Sequence, residues 1–274
     1  MLFHIKSYLK FLWYSKNEHA VHSPFVFTLI TKCFYDRKQK PEYQVLKDYR
    51  KALLVNTKTI DVTDFGAGSK VFTSNEREIS RIAMTAGITQ KRAELLFRIT
   101  TYFEPDTILE IGTSLGLATA ALALGSKSIG NNAKITTLEG CPETSSIAKI
   151  QLQKFNMNNI EFVVTEFGTY LEKQNASRIT GMEQFSLNTE HLALIYFDGN
   201  HQKKATLDYF DLLLPTIRNN TVWIFDDIHW SPQMDEAWEI IKKHPKVTVT
   251  IDTFQWGFVF FRYEQPKEHF IIRV

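Results

Sequence analysis

Only two cysteines, Cys33 and Cys141, occur in 274 residues, and neither belongs to a CxxC pair or lies at metal-ligand spacing. At most one bridge can form, which excludes a disulfide scaffold and suits a reducing compartment. No run approaches the roughly 20 apolar residues that a membrane-spanning helix needs. The first ten residues are apolar, but Lys6 and Lys10 interrupt the core that an export signal requires, so an unexported, cytoplasmic protein is expected. An excess of charge of one sign is also missing, since 32 Lys+Arg against 30 Asp+Glu leave +2. That balance argues against coating of nucleic acid, and no nucleic-acid partner is expected. With 44% hydrophobic residues the chain is neither disordered nor collagen-like, and its length allows a core without metal or disulfide staples. Internal repeats and low-complexity segments are absent.

The small net charge hides a division near residue 60. Residues 1–60 carry 11 Lys+Arg and 4 Asp+Glu, giving +7, and the remainder is −5. The basic part is also aromatic, with Phe3, Tyr8, Phe11, Trp13 and Tyr14 close together. Such a segment is expected to dock on the rest of the chain or on its symmetry mate, with an anionic membrane surface as the alternative.

From about residue 105 short β-branched runs alternate with helical patterns, the signature of a parallel α/β sheet. Strands are expected at 107–111, 135–138, 160–164, 192–197, 222–225, 247–251 and 258–261, with helices near 116–127, 143–155, 202–214 and 232–243. The last two strands are too close in sequence for a crossover helix and must form an antiparallel hairpin. The preceding part reads as helical. Ser23-Pro24 predicts an N-cap with proline at the first helical position. Thr73 and Glu76 suggest a capping box before Ile79, and Leu95, Leu96, Ile99 and Phe103 continue at helical spacing to Pro105. The expected division is a helical extension over 1–74, serving as lid or dimerisation element, and an α/β domain over 75–274.

The segment Thr107-Ile-Leu-Glu-Ile-Gly-Thr-Ser-Leu-Gly116 is a buried strand turning into a helix through two glycines. Gly112 opens backbone angles closed to other residues and lets a ligand approach, and the helix beyond offers free N–H groups. A loop built only for phosphate has no use for Glu110, whose carboxylate suits a cationic ligand. The next strand ends at Glu139, where a carboxylate in a doubly wound fold hydrogen-bonds ribose hydroxyls. Together these features imply an adenosine-containing ligand that bears positive charge.

Glu110-Ile-Gly-Thr-Ser-Leu-Gly116 followed by Glu139 resembles the cofactor site of class I S-adenosylmethionine-dependent methyltransferases, in the catechol and caffeoyl-CoA O-methyltransferase branch and related bacterial small-molecule enzymes. The resemblance runs over about residues 75–262. It implies a Rossmann-like sheet of seven strands with the last antiparallel, in agreement with the hairpin. It also implies that Glu110, Gly112, Thr113, Ser114 and Gly116 surround the methionine portion of S-adenosylmethionine, while Glu139 and Gly140 hold its ribose. Ser114 stands where the commoner loop has its middle glycine.

Two further strands end in acids, Tyr196-Phe-Asp-Gly-Asn-His201 and Ile224-Phe-Asp-Asp-Ile-His-Trp230. Adjacent strands lie about 4.8 Å apart, so Asp198, Asp226 and Asp227 can converge at one sheet edge, where uncompensated carboxylates would raise one another's pKa. In the metal-dependent O-methyltransferases that the chain resembles, the corresponding acids bind magnesium or a similar ion that holds the substrate hydroxyl. The resemblance implies Asp198, Asp226 and Asp227 as a divalent-cation site and Asp198 as a cofactor and reaction residue. Asp227 replaces that family's asparagine, and His201 replaces a lysine acting on the hydroxyl. Neutral imidazole accepts a proton near pH 7, which makes His201 the first candidate base and His229 the second.

Asp64-Phe-Gly-Ala-Gly-Ser69 has the lettering of a cofactor loop without a helix at its second glycine, and is read as a structural loop. Cys141 is read as packing or pocket lining, Trp223 and Phe225 as core. The function expected is O-methylation of a small hydroxylated substrate, with homodimerisation through the N-terminal helices. The alternatives are a non-catalytic sensor of an adenosyl ligand and, on the same fold, a nicotinamide-dependent oxidoreductase, against which the missing Gly-x-Gly-x-x-Gly argues.

Overall fold

The computed structural model describes residues 2–63, 74–180 and 191–274. In chain order the first part contains α1 (Leu2–Tyr14), α2 (Pro24–Leu29), α3 (Pro41–Leu54), β1 (Thr59–Asp61), β2 (Glu76–Glu78), α4 (Ile79–Thr85) and α5 (Gln90–Phe103). Then follow β3 (Thr107–Ile111), α6 (Leu117–Ser128), β4 (Lys134–Glu139), α7 (Pro142–Lys154), β5 (Ile160–Val164) and α8 (Phe167–Thr180). The last part is β6 (Leu194–Phe197), α9 (Lys203–Leu213), β7 (Val222–Asp226), α10 (Pro232–Lys243), β8 (Val249–Asp252), β9 (Trp256–Phe260) and β10 (Glu268–Ile271). This is an α/β fold with a mostly parallel sheet, and all seven expected strands are present. Among the described residues no helix is long and apolar enough to cross a membrane.

The chain forms two compact units, residues 36–167 and residues 1–35 with 168–274. In the first, β3, β4 and β5 run parallel in that order, with Glu110 opposite Thr137 and Glu139 opposite Val164. Strands β3 and β4 are rich in β-branched residues and buried, as strands covered on both faces require, whereas β5 at the edge is half-buried. Helix α5 buries Leu96, Phe97, Ile99 and Thr100 and packs against the alanine-rich α6, where Gly125 brings the two backbones close. Glu78 stands at the N-cap position of α4 without a side-chain capping bond, and Glu76–Glu78 pair antiparallel with Thr59–Asp61. The expected capping box is therefore corrected. Glu76 lies in an extended strand whose backbone is engaged by β1, so the helix starts only at Ile79, and Thr73 lies outside the described residues.

In the second unit β6 and β7 are parallel, β9 runs antiparallel to both β7 and β8, and β10 adds an eighth strand parallel to β8. Trp223, Phe225, Trp256 and Phe258 are fully buried, so the tryptophan of β9 belongs to the core. Ser23 caps α2 by accepting from the Val26 N–H, with Pro24 at the first position. The segment before residue 36 docks on its own chain. Phe254 receives His4, Tyr8 and Phe11 of α1 at ring separations of 5.1, 4.9 and 5.5 Å. Phe25 and Phe34 pack on Phe260 and Phe258, each at 5.0 Å, and Arg273 donates to the Leu12 carbonyl and the Ser15 hydroxyl.

Candidate functional site

The turn after β3 is built by backbone angles that few residues adopt. Gly112, Ser114 and Gly116 have φ of 101°, 47° and 76°. A β-carbon at Gly116 would come within 2.7 Å of the Tyr49 hydroxyl, which donates to the Leu115 carbonyl, so both conformation and space demand glycine there. The N–H groups of Gly112 and Thr113 donate to the Leu138 carbonyl, tying the turn to β4. Glu139, the last residue of β4, accepts from the Ser114 N–H through Oε2 at 2.8 Å and from the Cys141 N–H through Oε1 at 3.0 Å. Gly140 completes the turn into α7, and Cys141 is buried with its thiol toward the Asp61 carbonyl.

Glu110 is wholly buried. Its Oε2 accepts from Thr119 at 2.6 Å and Thr137 at 2.5 Å, and Thr113 lies 2.5 Å from the Thr137 hydroxyl. Its Oε1 has no hydrogen-bond partner among the described residues. Burial pushes the carboxyl up to about 7, opposed by the two threonine bonds and assisted by the charge of Glu139. A buried carboxyl with one oxygen unserved is an expensive feature that a donor or cation would relieve.

The second unit holds the other predicted residues. Asp226 ends β7 and is buried, while Asp198 lies one residue beyond β6 with a partly exposed side chain. The buried Tyr196 hydroxyl stands between them, 3.0 Å from Asp226 Oδ2 and 3.4 Å from Asp198 Oδ2. His201 Nε2 lies 3.7 Å from Asp198 Oδ1. His201, Phe197, Tyr209, Phe225, Asp226 and Met234 line a water-sized recess. Asp227 has φ of 54° and donates its N–H to Asp226 Oδ1 at 2.7 Å.

Asp198, Asp226 and Asp227 lie at or just beyond the ends of β6 and β7. Asp226 Oδ1 and Oδ2 are engaged by the Asp227 N–H and the Tyr196 hydroxyl, and among the described residues no three His, Cys, Asp or Glu side chains group as a metal site. His229 is unsuited to the role of base. Its Nδ1 lies 2.6 Å from Asp235 and its Nε2 2.7 Å from Asp252, with Phe254 stacked on the ring. Burial alone would lower its pKa, but hydrogen bonds and charge from the two carboxylates outweigh it and hold the imidazole up to about 9. It is a cation with both nitrogens occupied. The Asp64–Ser69 loop lies outside the described residues.

Sequence reasoning missed Thr119, Thr137 and Tyr196. Strand alternation carried the signal for the last, since residue 196 shares a face with Asp198. Asp235 and Asp252 gave no signal, because their meeting at His229 depends on three separate elements.

Residues 109–228 match the family model described as a methyltransferase domain. The S-adenosylhomocysteine complex of an O-methyltransferase from Bacillus cereus is similar with a TM-score of 0.53 and 18% identity, over 84% of this chain and 93% of that one. An S-adenosylhomocysteine-bound methyltransferase from Podospora anserina has a TM-score of 0.57 at 12% identity, over 88% and 97% of the two chains. The O-methyltransferase of tomaymycin synthesis from Streptomyces achromogenes, in complex with S-adenosylmethionine, gives 0.54 at 12% identity over 85% and 95%. At these identities the likeness is one of fold. No curated protein matches by sequence.

Proposed function

We propose that this chain, which carries a methyltransferase domain over residues 109–228, transfers a methyl group from S-adenosylmethionine to the oxygen of a small hydroxylated molecule. The observation that carries the reading is the buried Glu110, whose Oε1 lacks a partner beside the glycine turn. A ligand that brings a hydrogen-bond donor, and above all a positively charged one, compensates that carboxyl. S-Adenosylmethionine supplies an electrophilic methyl group on a cationic sulfur. Glu110 serves its cationic methionine end, the Gly112-Thr113-Ser114 turn and Gly116 make room for the backbone approach, and Glu139 with Gly140 receives the ribose hydroxyls.

The acceptor side is His201 and Asp198. The His201 imidazole takes the proton of the acceptor hydroxyl as the O–C bond forms and the C–S bond breaks, and Asp198, 3.7 Å from Nε2, stabilises the imidazolium that results. The Tyr196 hydroxyl bridges the Asp226 and Asp198 carboxylates, 3.0 Å from the first and 3.4 Å from the second. Methyl transfer depends mainly on alignment and a deprotonated acceptor, so one base is sufficient. Residues 1–74 act as lid or dimerisation element for the domain at 75–274, in a cytoplasmic enzyme. Calorimetry tests the reading directly. S-Adenosylhomocysteine must bind the folded protein and lose affinity in Glu139→Ala, while the Asp198→Ala and His201→Ala proteins keep binding and lose turnover. Stabilisation by NAD without stabilisation by S-adenosylhomocysteine would overturn it.

A further inference from the structure

Helix α1 is apolar on both sides. One side faces Phe254 through His4, Tyr8 and the buried Phe11. The other presents Leu2, Ile5, Leu9 and Trp13, which are 77, 50, 59 and 84% exposed. Their spacing of three and four residues places them in one stripe along the helix. A helix apolar on two faces requires cover on both, and only the inner one has it within the described residues. Lys6 and Lys10 follow the stripe along one edge, Lys16 lies just beyond the helix, and no acid occurs before Glu18.

We infer that the outer face of α1 is a docking surface for an anionic lipid bilayer, with the helix lying in the plane of the membrane interface. Four aliphatic and indole side chains enter the boundary between headgroups and acyl chains, and the lysines lie beside them at the level of the phosphates. Trp13 at the end of the stripe is a residue type that favours that depth. A second copy is the poorer occupant. Two such helices packed about a dyad would bring Lys6 and Lys10 toward their own copies, with no acid in residues 2–17 to compensate. This assignment gives the outer face of α1 to lipid and leaves any dimer contact to α2 and α3. The inner face stays on Phe254, so the helix docks without unfolding from its own chain.

The test is sedimentation of the full chain with vesicles of phosphatidylcholine, alone or mixed with phosphatidylglycerol. Binding is expected with the mixed vesicles only, weakened by salt, and reduced about tenfold or more by Leu9→Glu combined with Trp13→Glu. Lys6→Gln should weaken it by roughly fivefold. Leu9, Trp13 and Lys6 are exposed, and an unchanged melting curve verifies that the variants fold. Failure to sediment with the mixed vesicles, or sedimentation untouched by the double substitution, overturns the inference. So does light scattering that shows a dimer converted to monomer by Trp13→Glu, because the stripe would then belong to a second copy.

Discussion

His229 is the group whose replacement should most visibly change how stability depends on pH. It is mostly buried, with Asp235 on one ring nitrogen and Asp252 on the other. Desolvation by itself favours the neutral ring, yet the paired carboxylates prevail and raise the imidazole from 6.5 to about 9. The matching effect on Asp235 is a lowered pKa, caused first by its bond to His229, and the two describe one interaction to be counted once. The native state therefore binds a proton that the unfolded chain releases between these values. Stability from this site is complete below pH 6.5 and is lost as pH rises through about 9. A shift of this size corresponds to about 3 kcal/mol, of which roughly 1.4 kcal/mol remains at pH 8. Urea unfolding of wild type and His229→Gln from pH 6 to 10 isolates the term as the difference between the two proteins. His244 and His269, lowered chiefly by burial, titrate below this window in both. The expected difference is largest at the acid end and shrinks as pH rises. A difference that stays flat, or a ring titration of His229 near 6.5 by NMR, would refute the reasoning.

Glu110→Gln should stabilise the ligand-free protein by about 3 kcal/mol at pH 8 and weaken S-adenosylhomocysteine binding at least roughly tenfold. The sign follows from the native carboxyl holding a proton up to about 7 that the unfolded chain loses near 4.5, so wild-type stability falls with rising pH across that window. Urea titrations and calorimetry read the two effects, and destabilisation by the glutamine would contradict them. His201→Ala should lower kcat by about a hundredfold or more with little change in cofactor affinity. Equal losses of affinity and kcat would assign His201 to binding instead. Methyl transfer should survive exhaustive chelation, because the Asp226 oxygens are already engaged by Tyr196 and Asp227. Loss of activity restored by added magnesium would reverse that conclusion.

The fold was legible where local signals and long-range packing agree. The β-branched strands and the hairpin at 249–260 have periodicity that only a buried sheet satisfies, and they lie where expected. Strand β10 was not legible because Glu268-His-Phe-Ile carries no alternation of its own and becomes a strand by pairing with β8. Strand β2, Glu-Arg-Glu, is polar throughout and exists only because Thr59–Asp61 supplies its partner. The site divides in the same way. Glu110, Glu139, Asp198 and Asp226 stand at or next to strand ends, where spacing alone finds them. Their chemistry is settled instead by neighbours distant in sequence. Thr119 and Thr137 leave Glu110 with one unserved oxygen, and Asp235 and Asp252 turn the candidate base His229 into a fixed cation. A histidine near an acidic strand end is thus an ambiguous signal until both ring nitrogens are accounted for. Here that accounting favours His201, which has one carboxylate at 3.7 Å, over His229, which has two within 2.7 Å. One carboxylate can orient an imidazole and stabilise its protonated form during turnover, whereas two short bonds keep it protonated throughout.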